Sequence, residues 1–137
     1  MPPLPAEPAA SSNARVRLHH LALRTRDPDA LARWWAAVFA LPVVPAPRPE
    51  VCWLRLDDAL LMIEPSEPGE PGIPGGTLEF AAFRVTPAER DDFARRCEAL
   101  AVPIEHRTAW TIYVRDPDGR RVGVSCFDAV PSAAPVR

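Results

Sequence analysis

The sequence contains no lysine, and all 16 of its basic residues are arginine. The missing amine excludes two kinds of catalysis, Schiff-base chemistry and proton transfer by a lysine general base. No run of more than two consecutive basic residues is present either, and the net charge is -2. Surfaces that bind nucleic acid concentrate Lys and Arg, so nucleic acid is not an expected partner.

Cysteine and long apolar runs are also scarce. Three cysteines, an odd number, are too few for a disulfide framework, which favours a reducing cytoplasm as the location. No apolar stretch approaches the roughly 20 residues that a bilayer-spanning helix needs, and the proline-rich N-terminus lacks the apolar centre of a signal peptide. We therefore expect a cytoplasmic protein without a membrane partner.

What the sequence does contain is an internal repeat. Residues 18–25 are echoed by residues 78–85, an offset of 60 (78 minus 18). A proline-started helical segment follows each of them, at Pro28 and at Pro87. At 137 residues the chain has the size of one domain, or of two small units with a common core. The repeat indicates two such units.

Composition divides the chain into two modules, a linker and two tails. The predicted modules are residues 17–64 and 77–128. Residues 65–76 hold four prolines and four glycines, a composition typical of an irregular linker. Residues 1–16 and 129–137 are rich in Pro, Ala and Ser and have few large apolar side chains, so we expect both to be disordered tails.

Each module is predicted to contain a strand, a helix and three further strands. In the first module, Asp27 is a predicted N-cap before Pro28. In the second, Thr86 and Glu89 form a predicted capping box. The predicted strands are residues 18–25, 41–44, 51–56 and 59–64 in the first module, and 78–85, 102–106, 110–115 and 120–127 in the second. Residues 116–119, Asp-Pro-Asp-Gly, are interpreted as a hairpin turn.

The predicted fold class is therefore α+β, with two tandem β-α-β-β-β modules. A four-stranded sheet that is covered by one helix leaves its other face open. Two such sheets bury that face when they curl together around a cleft. The residues leave open whether the two modules of one cleft belong to the same chain or to two chains.

Four segments, in their order and spacing, resemble the vicinal oxygen chelate superfamily. They are His-His-Leu-Ala-Leu at residues 19–23, Ala-Arg-Trp-Trp-Ala-Ala-Val-Phe-Ala-Leu-Pro at 32–42, Leu-Leu-Met-Ile-Glu at 60–64 and Tyr-Val-Arg-Asp-Pro-Asp-Gly at 113–119. That group includes glyoxalase I, bleomycin-resistance proteins, fosfomycin-resistance transferases and extradiol dioxygenases. The resemblance implies a curved mixed sheet around a U-shaped cleft, usually in a homodimer.

In metal-dependent members of this superfamily, residues on the first and last strands of each module hold a divalent ion at the base of the cleft. The resemblance places His20 and Phe80 at the first-strand positions. It places Glu64 and Gly123 at the last-strand positions, with Met62 as the alternative to Glu64. A phenyl ring and a hydrogen atom cannot bind a cation, so the second module has lost both ligands.

His20 and Glu64 still form a candidate metal site. Catalytic zinc normally keeps three protein ligands, and oxygen-activating iron keeps two histidines and a carboxylate, so a third ligand is needed. The candidate third ligand is His106 or a residue of a partner chain, because the alternation of a strand points His19 to the face opposite His20. The candidate ions are Zn, Ni, Mn and Fe. A third interpretation is metal-free proton transfer by His20 and Glu64.

The alternative to a metal site is an apolar binding cleft, which the resemblance to bleomycin-resistance proteins implies. Aromatic side chains on strands suit flat or extended ligands, and a phenyl ring at a former ligand position favours an apolar pocket. The candidate ligand-binding residues are Trp53, Phe80, Trp110 and Tyr113, together with Arg24 and Arg84 as candidate contacts for an anionic ligand.

The sequence thus favours a glyoxalase/bleomycin-resistance-like protein that binds a small, partly apolar molecule in the cleft between modules, with a degenerate metal site. The alternative is a divalent-metal-dependent lyase, isomerase or dioxygenase that uses His20 and Glu64. Whether the protein is an enzyme stays open. The expected partners are a small-molecule ligand and a second copy of the chain in a homodimer.

Overall fold

The computed structural model describes Pro2 and residues 16–128, which fold into two β-α-β-β-β modules. The first module contains β1 His20–Thr25, α1 Pro28–Phe39, β2 Val43–Val44, β3 Cys52–Leu56 and β4 Ala59–Pro65. The second contains β5 Phe80–Arg84, α2 Pro87–Ala99, β6 His106–Arg107, β7 Thr111–Arg115 and β8 Arg121–Ser125. The tails predicted over residues 1–16 and 129–137 lie outside the described residues, apart from Pro2 and Val16.

Both helices begin as their sequences predict. The Asp27 carboxylate accepts a hydrogen bond from the backbone N–H of Ala30, which satisfies one of the amides that a helix start leaves unpaired. The capping box of α2 is complete, because the Thr86 hydroxyl accepts from the Glu89 N–H and the Glu89 carboxylate accepts from the Thr86 N–H. The predicted helix starts are therefore confirmed.

The two modules have the same sheet topology. One sheet has the strand order β1-β4-β3-β2 and the other β5-β8-β7-β6, with the first pair parallel in each. His20 is paired with Leu60 in the first module, and Phe80 is paired with Arg121 in the second. The predicted internal duplication is thus present in the strand order and register, and the α+β class is confirmed.

One hydrophobic core joins the modules. Alternate residues of each sheet point toward its helix, and Leu61 on β4 and Ile112 on β7 are completely buried. The helices touch each other, because the rings of Phe39 on α1 and Phe93 on α2 have centroids 5.1 Å apart. Phe39 also meets Phe83 of β5 edge to face at 5.4 Å. These contacts tie α1 to the second module as well as to its own sheet.

Polar contacts add to this interface. The indole N–H of Trp35 on α1 donates to Asp116 Oδ2 at 3.3 Å, and Arg120 donates to the backbone carbonyl of Arg24 at 2.6 Å. Arg96 on α2 donates to the carbonyl of Val38 at 3.0 Å. The turn at residues 116–119 therefore does more than reverse the chain, because its first residue also holds α1 in place.

Two differences from the expected architecture are informative. The strand predicted over residues 102–106 is wrong except at its last residue, since β6 covers only His106–Arg107. Pro103 has no N–H to donate, and the N–H of Val102 donates to the carbonyl of Cys97 at the end of α2 instead. Within residues 16–128 the two sheets also remain separate, because β1 and β5 are edge strands that pair only with β4 and β8.

Candidate functional site

The candidate site residues lie on the sheet faces that the helices do not cover. On the first sheet, Met62 of β4 is paired with Ala22 and with Trp53. On the second, Gly123 of β8 is paired with Ala82 and with Tyr113. Because paired residues share a face, each sheet presents a matching row of side chains on its open face. Trp53 and Tyr113 occupy equivalent places in the two rows.

This register bears on the choice between Glu64 and Met62 as the last-strand position of the first module. Gly123 is paired with Ala82, and the residue paired with the equivalent Ala22 is Met62, not Glu64. Glu64 lies two residues farther along β4, opposite Arg24. If Gly123 marks the last-strand ligand position, as the resemblance implies, the four equivalent positions of this chain are His20, Met62, Phe80 and Gly123. Of these four side chains, only His20 is a ligand for the candidate ions.

Glu64 and His20 are not brought together. His20 is opposite Leu60, so Glu64 is four residues farther along the strand, roughly 13 Å away at the rise of a β-strand. Glu64 Oε2 instead accepts a hydrogen bond from Arg24 at 3.3 Å. The imidazole of His20 makes its contact with the adjacent His19, with Nδ1 atoms 2.8 Å apart. Proton transfer within a His20–Glu64 pair has no geometric support in this arrangement.

Arg24 itself is occupied by carboxylates. Its Nε donates to both carboxylate oxygens of Glu70, at 2.9 and 3.0 Å, in addition to the bond with Glu64. The Glu70 hydrogen bond raises the pKa of Arg24 above its usual value, and the same bond lowers the pKa of Glu70. Arg24 was predicted to contact an anionic ligand, but two anionic side chains of this chain already bind it, Glu64 on β4 and Glu70 in the linker.

The described residues do not fit a metal ion. His106, the predicted third ligand, lies on β6 of the other sheet, where its ring packs against Tyr113 with centroids 5.4 Å apart. Within residues 16–128 no three His, Cys, Asp or Glu side chains form a group that could hold an ion. The position of Gly123 is closed as well, because a Cβ atom there would lie 1.8 Å from the backbone oxygen of Ile112.

On the open face of the second sheet, aromatic rings take the place of a metal centre. Phe80 and Tyr113 are stacked with centroids 4.3 Å apart and planes tilted by 31°. A Cβ atom at Gly123 would lie only 3.3 Å from Cε1 of Phe80, so the phenyl ring covers the glycine. The absence of a side chain at residue 123 thus gives the Phe80 ring its place against the sheet.

A charged group lies directly beside these rings. The guanidinium carbon of Arg121 is 4.3 Å from the Tyr113 ring centroid and 5.9 Å from that of Phe80. Arg121 Nε donates to Glu105 Oε1 at 3.0 Å, while Arg115 donates to both oxygens of the same carboxylate, at 2.6 and 3.1 Å. One carboxylate therefore binds both guanidinium groups, and that of Arg121 lies against the aromatic pair.

We expect Glu105 to make the stability of the protein depend on pH in the acid range. The hydrogen bond from Arg115, and then that from Arg121, hold the pKa of Glu105 below its ordinary value of 4.5. Because the pKa is lower in the folded than in the unfolded protein, this stabilisation is complete above about pH 4.5 and is lost as the pH falls through the folded-state pKa.

Urea unfolding of Glu105→Gln and wild type across this range measures the effect. The difference in stability between them should be largest near neutral pH and should shrink as the solution is acidified. Glu79→Gln, at an exposed glutamate just before β5, is the control and should follow the wild-type profile. A difference for Glu105→Gln that stays constant from pH 7 to pH 3 contradicts the assignment.

The remaining predicted ligand contacts are scattered. Trp110 lies just before β7, and its ring packs against Phe127 at 4.8 Å rather than against Phe80. Arg84 lines a cavity of about 910 Å³ between the end of α1, β5 and α2, and neither Phe80 nor Tyr113 belongs to that cavity. Trp53 is half-buried on the other sheet. Of the predicted aromatic residues, Phe80 and Tyr113 alone contact each other.

Sequence reasoning missed Arg121, Arg115 and Glu105. The alternation of β7 and β8 already places Tyr113 and Arg115 on one face, and Arg121 two residues before Gly123. That pattern was sufficient to find both arginines. Glu105 had no such signal, since it precedes the two-residue strand β6 and reaches the cluster through a loop whose path depends on the rest of the fold.

Comparison with known proteins gives a consistent result for the fold. A family model described as a glyoxalase-like domain matches residues 20–125. No curated protein sequence matches the chain. Among solved structures, lactoylglutathione lyase from Agrobacterium tumefaciens is 25% identical, with a TM-score of 0.59, over 80% of this chain and 92% of that one.

Two fosfomycin resistance proteins named FosX are also similar. The protein from Mesorhizobium loti is 21% identical, with a TM-score of 0.68, over 81% of this chain and 91% of that one. A mutant of the protein from Listeria monocytogenes, in complex with Mn(II) and 1S,2S-dihydroxypropylphosphonic acid, is 18% identical, with a TM-score of 0.66, over 81% and 92%. Identities this low show the fold alone.

Proposed function

Because the chain belongs to the glyoxalase-like domain family of the vicinal oxygen chelate superfamily, we propose that it binds a small, partly apolar molecule against the Phe80–Tyr113 pair without a metal ion. The observation that carries this proposal is which residues occupy the positions where relatives bind a metal ion. Met62, Phe80 and Gly123 occupy three of the four, and no single substitution at Gly123 restores a ligand while the β7 backbone stays in place.

The metal chemistry of the relatives does not transfer to this chain. The Listeria protein is described with Mn(II), and a divalent ion in such a site would act as a Lewis acid toward oxygen ligands. The residues that would have to hold that ion here are a thioether, a phenyl ring, a bare backbone and one imidazole. The metal-dependent lyase, isomerase or dioxygenase interpretation therefore lacks a ligand set.

A homodimer completes the site in this proposal. The outer edges of β1 and β5 carry backbone groups that neither strand's own sheet pairs, and such edges invite pairing with another chain. In residues 16–128, the Trp53–Met62 row and the Phe80–Tyr113 pair lie on two sheets that the chain does not join. Pairing between two copies would place the first module of one chain opposite the second module of the other and enclose the ligand between them.

We place the protein in the cytoplasm as part of the same proposal. All three cysteines are free thiols, of which Cys97 is buried and Cys52 and Cys126 are half-buried. A reducing compartment keeps such thiols unpaired. None of the helices within the described residues has the length and apolar character of a membrane span.

The test combines metal content with ligand binding. Protein that is purified without chelator should contain no stoichiometric Zn, Ni, Mn or Fe by elemental analysis. Flat aromatic compounds such as 2-naphthol should raise the melting temperature of the wild type, and Phe80→Ala should weaken their binding by about 10-fold, because the variant loses the stacking surface.

Phe127→Ala, which removes an exposed ring of similar size outside the stacked pair, is the matched control and should bind the probe like the wild type. Near-stoichiometric metal that disappears in His20→Ala would overturn the proposal in favour of a metal-dependent enzyme. Equal loss of binding in Phe80→Ala and Phe127→Ala would also count against it, since the probe would then not be reading the stacked pair.

A further inference from the structure

We infer that the ligand of this site is a flat aromatic carboxylate, whose ring stacks with Phe80 and Tyr113 and whose anionic group is bound by Arg121. This inference rests on the proposed function and adds the charge of the ligand to it. It depends on how Arg121 is held, on the charge balance of the two open faces, and on the geometry of the guanidinium group.

Arg121 is positioned by the protein before any ligand arrives. Its guanidinium lies 4.3 Å from the ring centroid of Tyr113, and its side chain is only 18% exposed. Glu105 engages it through Nε alone. The N–H groups of both Nη atoms lie outside that ion pair, so they are donors for an acceptor that comes to rest beside the rings. A group fixed in this way loses little side-chain entropy on binding.

The charge balance of the second sheet's open face favours an anion. Glu105 provides one negative charge to two guanidinium groups, those of Arg115 and Arg121, so this cluster retains an excess of one positive charge. The first sheet shows the reverse, because Arg24 is matched by two carboxylates, Glu64 and Glu70. The two open faces therefore differ in the charge around their arginines, with Glu64 of β4 and Glu70 of the linker beside Arg24 and Glu105 alone beside Arg115 and Arg121.

The comparison of the copies singles out Arg121. Phe80 is paired with Arg121, and the equivalent His20 is paired with Leu60. A leucine thus occupies the corresponding place in the first module, where the fold accommodates an apolar residue. The arginine of the second module is consequently not required by the β-α-β-β-β architecture itself.

The shape of the guanidinium group indicates a carboxylate. Its planar fork matches two carboxylate oxygens at once, and a guanidinium that also stacks on an aromatic face is oriented before it binds. A ligand with its ring against Phe80 and Tyr113 and a carboxylate attached to that ring lies in the plane that this fork requires. A neutral ligand of the same shape would gain the stacking but not the ion pair.

A matched pair of probes separates the contribution of ring stacking from that of the ion pair with Arg121. Calorimetry with 2-naphthoate and 2-naphthamide, which share a ring system and differ in charge, should show the carboxylate binding wild-type protein at least about 10-fold more tightly. Arg121→Leu, which introduces the residue found at the equivalent position of the first module, should remove this preference, so that the two probes bind the variant with similar affinity. Arg33→Leu, at an exposed site on α1, should retain it.

The dependence of probe affinity on salt concentration is a second measurement, and it needs no variant. The affinity of wild type for 2-naphthoate should fall between 50 and 500 mM NaCl, and that for 2-naphthamide should not. Equal binding of the two probes, both lost in Phe80→Ala, would overturn the anion inference while the proposed function stands. Failure of wild type to bind either probe would overturn both. Arg121→Lys keeps the charge without the fork and should show an intermediate preference.

Discussion

Gly123→Ala should lower the free energy of unfolding by about 1–3 kcal/mol, the usual cost of forcing an extra methyl group into a packed interior. The added Cβ would lie 1.8 Å from the carbonyl oxygen and 2.9 Å from the carbonyl carbon of Ile112. Both atoms belong to the backbone of β7, so the strand itself must move. The Phe80 ring, 3.3 Å from the same point, would be displaced as well.

Urea unfolding of Gly123→Ala beside Gly72→Ala tests this prediction. A Cβ atom at Gly72, in the linker, meets nothing within 4 Å, and the backbone there is not in the left-handed region. The control should therefore be neutral or slightly stabilising. A stable Gly123→Ala variant with unchanged binding of 2-naphthol would show that the ring does not need the bare backbone beneath it.

The same geometry predicts the outcome of an attempt to rebuild a metal site. Gly123→Glu supplies a carboxylate at the position where metal-dependent members of the superfamily carry one, but it inherits the collision with Ile112. We expect this variant to lose stability without gaining stoichiometric metal.

Asp116→Ala should lower the free energy of unfolding by about 3–5 kcal/mol, because it leaves a paired arginine and several N–H groups without their buried acceptor. The Asp116 side chain is completely buried. Its Oδ1 accepts from the backbone N–H groups of Asp118 and Arg120, at 2.9 and 3.0 Å. Its Oδ2 accepts from the Arg120 guanidinium at 3.0 Å and from the Trp35 indole at 3.3 Å.

Asp118→Ala is the matched control for this effect. Asp118 is in the same turn, but its side chain is 32% exposed and the hydrogen bond of its carboxylate is to Arg120, not to the indole of α1. Its loss should cost less than about 1 kcal/mol, as expected for a partly exposed ion pair. Similar unfolding free energies for the two variants would mean that Asp116 acts only in the turn and does not join α1 to the second module.

Local sequence signals predicted the elements well because their causes are local. Thr86 and Glu89 form their capping box with groups three residues apart, and Asp27 caps α1 across the same distance. The strand predicted over residues 102–106 failed where a distant group competed, since the N–H of Val102 is taken by the end of α2. Such competition is not visible in a strand-like run of residues.

The candidate site was only partly predictable from the sequence, because strand alignment and packing neighbours depend on distant residues. The resemblance put Phe80 at a cleft position, and Tyr113 was a candidate because it lies on a predicted strand; in the structure the two rings contact each other. The assignment of Glu64 depended on how β4 is aligned with β1, and a shift of two residues keeps the same face, so the pattern could not choose between Glu64 and Met62. Trp110 was assigned to the cleft without information on its neighbour Phe127.

The sequence by itself determined the tandem β-α-β-β-β modules, the helix caps and the absence of lysine chemistry, since these depend on residue type and short spacing. The tertiary structure alone decided that Met62 is the counterpart of Gly123 in strand register, that the Ile112 backbone closes the position of Gly123, and that Glu105 holds Arg121 over Tyr113. Those facts depend on register between strands and on a loop that joins residues across the sheet, where packing of the whole chain fixes the geometry.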